Sequence, residues 1–303
     1  LVVAHGRWCA RSHVEAQAAV NGRPADDAPP CQRARAGNLG LELGSLCIEE
    51  GPACVGHTEA LLTRFENLIV IGIDRDKSAL EKASARLAPF GDRLKTAHCV
   101  FDEITEVVQS FGFTRINGAL FDLGVSSMQL DESERGFSYS QDAPLDMRMD
   151  RSKGITAYEI VNSYEPGKLV KILRTYGEEK FATRIVENIV KARAIAPLNS
   201  TTELATLVKE SIPAATRRTG GNPAKRTFQA LRIEANDELG AITRALPQAL
   251  DLLMVQGRLV VMSFQSLEDR IVKEIFQEAS TSKSPRNLPI ELPEYAAKFS
   301  LVF

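Results

Sequence analysis

The stretch that decides the fold is GALFDLGVSSMQLDESERGFSYSQDAPLDMRMD, residues 118–150. It opens with the apolar run Ala119-Leu120-Phe121, which predicts a short buried strand that ends at Asp122. A turn of small residues, 123–127, follows. Ligands of open α/β sheets bind beyond the carboxyl ends of the strands, so a carboxylate there, followed by Gly124, indicates a binding site. A solvated aspartate in an ordinary strand-to-loop turn is the alternative.

The remainder of this stretch is polar but carries four large apolar side chains, Phe137, Leu145, Met147 and Met149. Its pattern follows neither the helical period nor strict alternation, which predicts a long ordered loop, and its apolar content argues against disorder. Arg135 and Arg148 are candidates for holding this loop together through its acids.

Upstream of this stretch, apolar runs alternate with helical patterns. Strands are predicted within 39–50, 68–76, 94–104 and 116–122, and the segments between them read as helices. The run LIVIGIDRD (68–76) is nearly continuous in apolar residues, as expected of a strand buried on both faces. Strands alternating with helices predict an α/β fold with a parallel, doubly wound sheet.

Downstream, no strand-like run occurs between Asp131 and Pro213, where four helices are predicted. A helix over 224–253 and the strand GRLVVMSF (257–264) then resume the sheet pattern. The prediction is therefore a discontinuous Rossmann-like domain of residues 46–130 and 214–303, with 131–213 as an inserted helical domain. Residues 1–45, rich in Ala, Arg and Pro, are expected to be a poorly structured or atypical N-terminal segment.

The composition of the 303-residue chain is that of a soluble globular protein, with 44% hydrophobic and 25% charged residues. No run approaches the ~20 apolar residues of a membrane span. The net charge of −2 means that any nucleic-acid contact must come from a local basic patch. The five cysteines form no metal-binding spacing, so no metal site is predicted and reduced cytosolic thiols are expected.

Four segments resemble, in the same order, the MraW-type 16S rRNA cytosine-N4 methyltransferases, which use S-adenosylmethionine. They are DLGVSSMQLDESERGFSYSQDAPLDMRMD (122–150), LRTYGEEKFATRI (173–185), NPAKRTFQALRIEANDEL (222–239) and GRLVVMSFQSLEDRIVK (257–273). The resemblance implies a Rossmann-like class I methyltransferase sheet with an inserted helical domain. It further implies an enzyme that methylates the exocyclic N4 of a cytosine in 16S rRNA, with S-adenosylmethionine as cofactor and the small ribosomal subunit as partner. A cytoplasmic protein is expected, and a homodimer is left open.

Asp74 ends a buried strand, where a carboxylate suits the two hydroxyls of a ribose; a surface acid paired with Arg75 or Lys77 is the alternative. The resemblance also assigns the cofactor ribose to Asp74. By the same comparison, the cofactor-binding residues are expected to include Val55, Gly56, His57, Phe101, Asp122 and Gln129.

The family's glycine loop, close to Asp-Ala-Thr-x-Gly-x-Gly-Gly-His, is replaced here by EEGPACVGH (49–57). Only Gly56 and His57 match clearly, and Val55 adds a Cβ where a glycine could take a positive φ. This departure predicts weakened cofactor binding. It leaves open a second function, a catalytically impaired RNA-binding or ribosome-assembly protein that retains the methyltransferase fold. A small-molecule or protein methyltransferase is a further alternative, disfavoured by the basic loop.

Asp122 is the predicted catalytic residue, because an acceptor beside the exocyclic amine of cytosine would hydrogen-bond its protons and increase the electron density on nitrogen. Backbone carbonyls of the turn 123–126 are the alternative acceptors. Between Glu210 and Glu234 no acid occurs, and the basic loop TRRTGGNPAKR (216–226) is predicted to contact RNA. A solvated charge run is the alternative. The predicted RNA-binding residues are Arg217, Arg218, Lys225 and Arg226.

Overall fold

The computed structural model describes residues 2–5, 46–50, 54–125, 129, 132–214, 222–285, 292 and 294–302. The chain divides into two compact units. The first, here called the sheet unit, comprises Leu1–Gly124 and Leu239–Phe303, and the second, the helical unit, comprises Val125–Glu238.

The sheet unit contains one parallel sheet. Its described strands are β1 (Val2–His5), β2 (Leu46–Glu50), β3 (Ile69–Asp74), β4 (Leu94–His98), β5 (Ile116–Asp122) and β6 (Leu253–Ser263). Their order is β1-β6-β5-β2-β3-β4, and every pairing between neighbours is parallel. The chain runs outward from β2 to β4 and then returns to the other side of β2, so the strand order reverses between β2 and β5. This doubly wound topology confirms the predicted fold class and places a switch point, where ligands bind in such folds, between those two strands.

Helices accompany the strands of the sheet unit. They are α1 (Cys54–Arg64), α2 (Lys77–Leu87), α3 (Ile104–Ser110), α9 (Glu238–Leu252, whose first residue belongs to the helical unit) and α10 (Ser266–Ser280). Successive strand residues alternate between two apolar clusters: Phe121 and Val261 pack with α3, α9 and α10, whereas Leu120 and Val260 pack with α1. β3, β5 and residues 259–263 of β6 are therefore buried on both faces, as their apolar sequences indicate, whereas the edge strand β4 is only partly buried.

The structure differs from the expectation for residues 1–45 at one place. Val2–His5 form a strand at the edge of the sheet, with Val2 opposite Val260 and His5 opposite Ser263 of β6. Four residues are too few to display a strand period in a sequence, so this short strand escaped prediction. Residues 6–45 lie outside the described part of the chain.

The helix expected over 224–253 is two helices. The first is α8 (Lys225–Asn236), and α9 begins at Glu238. Between them Asp237 takes a left-handed conformation, with φ of 48°, and its backbone N–H donates to Ile233 O. Aspartate tolerates this conformation better than most residues, but neither glycine nor proline marks the break in the sequence.

The helical unit contains α4 (Ala157–Ser163), α5 (Pro166–Thr175), α6 (Ala182–Arg193), α7 (Thr201–Ser211) and α8. Thr156 and Ser200 open α4 and α7 through capping boxes with Glu159 and Glu203. The four helices predicted over 131–213 are present, and the described residues from 132 to 214 contain no strand, only a single bridge between Pro144 and Ser200.

The boundaries of the helical unit differ from the proposed insertion, 131–213. The unit begins at Val125 and ends at Glu238, so it includes α8. Phe228 and Leu231 of α8 are buried in the same apolar cluster as Leu169 of α5 and Ile185 of α6. The apolar stripe of α8 thus completes the helical core. The helical period of the sequence shows that α8 has an apolar face but not which core that face packs against.

The loop of residues 132–150, here called the signature loop, is held by arginine contacts. Arg148 forms a two-pronged ion pair with Asp146, Nε to Oδ1 at 2.7 Å and Nη2 to Oδ2 at 3.1 Å. Burial by itself raises the pKa of Asp146, but the hydrogen bonds from Arg148 outweigh it and lower that pKa overall. Arg135 is buried, and its Nη2 donates to Met149 O at 2.7 Å. Arg148 therefore acts through an acid as predicted. Arg135 donates to backbone carbonyls and also pairs with an acid of the loop, since its Nη1 lies 3.5 Å from Oε2 of Glu132.

Candidate functional site

Acidic residues end three neighbouring strands at the carboxyl edge of the sheet. Glu50 is the last residue of β2 and lies opposite Ile73 of β3 and Phe121 of β5. Asp74 and Asp122 each follow one residue later in their own strands. Strands are spaced ~4.8 Å apart, so these two aspartates stand roughly 10 Å apart on either side of β2. That separation suits a nucleoside-sized ligand lying across the switch point.

Asp74 is a buried carboxylate with one oxygen left for a ligand. The residue is only 5% exposed, and its Oδ1 accepts a hydrogen bond from the backbone N–H of Asp76 at 2.7 Å. Oδ2 is buried and has no hydrogen-bond partner among the described residues. Burial raises the pKa of Asp74 to about 7, although the hydrogen bond from Asp76 opposes that shift. Hydroxyl donors such as a ribose diol fit this acceptor.

The turn after β3 is fixed by short-range hydrogen bonds. Asp76 caps α2, because its Oδ1 accepts from Ser78 N at 3.1 Å and from Ser78 Oγ at 2.8 Å. The backbone N–H of Cys99 donates to Asp74 O at 3.2 Å, which continues the pairing with β4 past the end of the strand. The Asp74 carboxylate is therefore presented from a rigid strand-to-helix junction. The alternative of a surface acid paired with Arg75 or Lys77 does not agree with its burial.

Asp122 and His57 lie together at the end of β5. His57 is in the first turns of α1, and its Nδ1 is 3.9 Å from Asp122 Oδ2. Both residues are buried. The separation is longer than a hydrogen bond, and the two side chains form an ion pair when the imidazole is protonated. The structure thus brings together two of the residues that the sequence placed in the site.

The turn after Asp122 contacts the end of β6. Leu123 N donates to Met262 O at 3.0 Å. Gly124 has a φ of 103°, and a Cβ at this position would be 3.7 Å from Cδ2 of Phe264. Phe264 directly follows β6 and is an exposed aromatic residue. Sequence reasoning did not single out this phenylalanine, although it lies within the segment GRLVVMSFQSLEDRIVK.

Val55 and Gly56 lie within α1 and not in a loop. Val55 is not among the described non-glycine residues with positive φ, so the strain expected from its β-branched side chain is absent. The expectation was wrong because the helix begins at Cys54, earlier than the family's glycine pattern suggested. Residues 51–53 lie outside the described part of the chain.

Phe101 packs edge-on against Phe121, with ring centroids 5.8 Å apart and an interplanar angle of 82°. It is buried in the core cluster that also contains Ile73 and Leu123. Cofactor contact by Phe101 stays a prediction, as does cofactor contact by Gln129, a buried residue of the helical unit.

Two of the predicted RNA-binding residues, Arg217 and Arg218, lie outside the described residues. The other two, Lys225 and Arg226, are exposed at the start of α8. Nη1 of Arg226 donates to Glu178 O at 3.0 Å, a contact that fixes one end of its side chain. RNA contact by these four residues stays a prediction.

The fold defines a doubly wound, Rossmann-like protein, and the carboxylates at its edge indicate a candidate ligand site at the switch point between β2 and β5. Comparison with known proteins narrows this class. A family model described as the MraW methylase family matches residues 51–303. The chain belongs to this family.

Curated relatives agree with the family assignment, and several are named ribosomal RNA small subunit methyltransferase H. The protein of that name from Renibacterium salmoninarum is 59% identical over 237 residues, which cover 78% of this chain and 72% of the relative. The one from Streptomyces avermitilis is 51% identical over 261 residues, which cover 86% of this chain and 82% of the relative. A third, from Salinispora tropica, is 54% identical over 247 residues, covering 82% and 67%.

Proposed function

We propose that this chain is an S-adenosylmethionine-dependent methyltransferase that methylates the exocyclic N4 of a cytosine in small-subunit (16S) ribosomal RNA. The observation that carries the proposal is the pair of buried carboxylates, Asp74 and Asp122, at the carboxyl ends of β3 and β5 in a chain of the MraW methylase family. The names of the curated relatives supply the substrate class. Ribosomal subunits assemble in the bacterial cytoplasm, so the protein acts there. Among the described helices, none is long and apolar enough to cross a membrane.

Asp74 holds the ribose of the cofactor through its open carboxylate oxygen. Two hydroxyl donors replace the solvation that burial has removed, so the carboxylate is stabilised in its ionised form on binding. His57 and Gly56, at the start of α1, lie at the helix terminus that follows β2, where partial positive charge favours the carboxylate of an amino-acid moiety. The first turn of α1 and the end of β3 thus bind the two halves of the ligand.

Asp122 prepares the acceptor. The N4 lone pair of cytosine is delocalised into the ring, so the amine is a poor nucleophile until an acceptor draws on its protons. The Asp122 carboxylate accepts one N4 proton as the nitrogen attacks, and the buried His57 lies beside it, with Nδ1 3.9 Å from Oδ2. S-adenosylmethionine, when bound, would supply an electrophilic methyl group, and the electron pair of the methyl–sulfur bond would stay on sulfur. Most of the rate acceleration comes from orientation and electrostatics.

The alternative of a catalytically impaired RNA-binding protein finds no support in the described residues. It relied on departures from the family's glycine motif at Ala53 and Val55. Val55 is helical without a positive φ, and Ala53 lies outside the described residues. The burial of Asp74, Asp122 and His57 near the carboxyl edge supports an intact site. Cofactor binding by the chain as it stands is therefore expected.

The test is incorporation of labelled methyl groups from S-adenosylmethionine into small ribosomal subunits that lack the modification. The wild-type chain is expected to methylate them. Asp122→Asn, measured at saturating cofactor, is expected to lose at least about 100-fold in rate, because the amide no longer accepts a proton. Asp251→Asn is the matched control, since Asp251 is an exposed aspartate just before the amino end of β6. No methylation by the wild type contradicts the proposed function, and full activity of Asp122→Asn contradicts the role of Asp122.

A further inference from the structure

Phe264 is exposed where the chain leaves the sheet. The five residues before it, 259–263, are buried in β6, whereas Phe264 itself is 48% exposed. An isolated exposed phenylalanine needs no explanation on its own. Its position and its backbone contacts distinguish this one.

The ring lies at the turn that carries the predicted acceptor carboxylate. Asp122 is opposite Met262 in the pairing of β5 with β6, so Phe264 is two residues beyond the partner of Asp122. The nearest ring atom would be 3.7 Å from a Cβ on Gly124, two residues beyond Asp122 itself. Gly124 therefore presents no side chain to the edge of the ring that lies next to the turn.

The backbone at Phe264 is fixed by a buried acid. Glu268 is 1% exposed, and its Oε2 accepts hydrogen bonds from Phe264 N at 2.9 Å and from Gln265 N at 3.3 Å. Its Oε1 accepts from Gln265 Nε2 at 2.8 Å. These contacts form the capping box that opens α10. Placing a carboxylate there fixes the conformation from which the Phe264 ring projects, so little conformational entropy is lost when a ligand binds to it.

We propose that the ring of Phe264 is the surface on which the target cytosine stacks during methyl transfer, a role that rests on the proposed function. A cytosine that reaches a methyl donor must leave its own stack, and enzymes compensate for that loss with aromatic side chains in the acceptor site. Stacking on Phe264 would hold the base over the turn of Gly124, with its exocyclic amine towards the Asp122 carboxylate. Glu268 acts on the base only through Phe264 and is a positioning residue.

The first experiment compares Phe264→Ala, Phe264→Leu and Phe264→Tyr for methylation of undermethylated small subunits and for binding of S-adenosylmethionine. The Ala and Leu variants are expected to lose roughly 5- to 150-fold in kcat/KM for the subunit, the range that corresponds to one base stacked on an aromatic ring. Phe264→Tyr is expected to stay within about threefold, since it keeps the ring. Cofactor affinity is expected to be unchanged in all three. Met254→Ala is the matched control, because Met254 is 49% exposed at the amino end of the same strand.

Equal losses in the Tyr and Leu variants, or no loss in the Ala variant, would overturn the stacking role. A second measurement does not depend on catalysis. The chain has one natural tryptophan, Trp8. Phe264→Trp in a Trp8→Phe background therefore carries a single indole, at the position where the base is proposed to stack. Its fluorescence is expected to be quenched by undermethylated small subunits. Quenching without methylation would support base stacking at position 264 and refute the proposed reaction. Methylation without quenching would refute the stacking role alone.

Discussion

At the scale of single residues, Asp74 combines burial with an oxygen that has no hydrogen-bond partner among the described residues. A carboxylate in this position is costly to ionise, which is why its pKa is raised to about 7. A ligand that donates hydroxyl protons removes this cost. Cofactor binding and ionisation of Asp74 are therefore coupled. This coupling predicts that cofactor affinity depends on pH, which tests the role of Asp74 independently of a loss of affinity in a mutant.

We predict that the affinity for S-adenosylmethionine falls as the pH drops below 7. The free protein then holds a proton on Asp74, and binding must release it, at a cost of up to about tenfold in affinity per pH unit. Calorimetry between about pH 5.5 and pH 8 measures the slope of the logarithm of affinity against pH, and Asp74→Asn is expected to abolish this slope. Ionisation of S-adenosylmethionine itself affects the wild type and the variant equally, so the difference between their slopes reports on Asp74. The same pH dependence in both would show that Asp74 does not bind the cofactor.

The same group makes the free protein less stable at higher pH. The pKa of Asp74 is raised by folding from 3.8 to about 7, so within that interval the folded state binds a proton that the unfolded state has released. The free energy of unfolding therefore decreases as pH rises through this interval and levels off above 7. Asp74→Asn is expected to be more stable than the wild type above pH 7 without cofactor. Urea unfolding at pH 5 and pH 8 measures the difference, and a wild-type advantage at both would contradict it.

At the scale of structural elements, the signature loop depends on a close backbone approach at Gly136. Its φ is 73°, and a Cβ there would be 2.3 Å from Pro144 O. Gly167, at the start of α5, has open space around its Cβ position. A side chain added at Gly136 would therefore meet a steric clash, whereas one added at Gly167 would not, so the two positions form a matched pair.

We predict that Gly136→Ala lowers the free energy of unfolding by at least about 2 kcal/mol, because it adds a steric clash to a conformation that L-residues rarely adopt. Gly167→Ala is expected to be neutral or stabilising by up to about 1 kcal/mol, since alanine favours a helix. Chemical denaturation of both variants measures the contrast. Equal effects of the two substitutions would refute the account of the loop.

The elements that the sequence predicted well are those whose pattern is local. The apolar runs in β3 and in the second half of β5 end in Asp74 and Asp122, so the sequence predicted the strands, their burial and the position of the site together. The break at Asp237 could not be read, because no glycine or proline marks it. The exposure of Phe264 also depends on tertiary structure, since an apolar residue after an apolar strand looks like more core.

At the scale of the whole molecule, the net charge of −2 means that attraction to RNA must come from local groups. We predict that Lys225→Glu with Arg226→Glu weakens binding to small-subunit rRNA and flattens its salt dependence, by about 0.7–0.9 in the log–log slope for each phosphate that is no longer neutralised. Cofactor affinity is expected to be unchanged. Lys191→Glu, at an exposed position late in α6, is the control. Equal effects from the control would show that general charge, and not this site, governs binding.

We expect this chain to transfer a methyl group to N4 of a cytosine in small-subunit rRNA through the site at the carboxyl edge of its sheet. To test this, undermethylated small subunits are incubated with the protein and S-adenosylmethionine and digested to nucleosides, and the products are identified by mass spectrometry. N4-methylcytidine is expected with the wild type and not with Asp122→Asn. A different methylated nucleoside, or none, would contradict the claim.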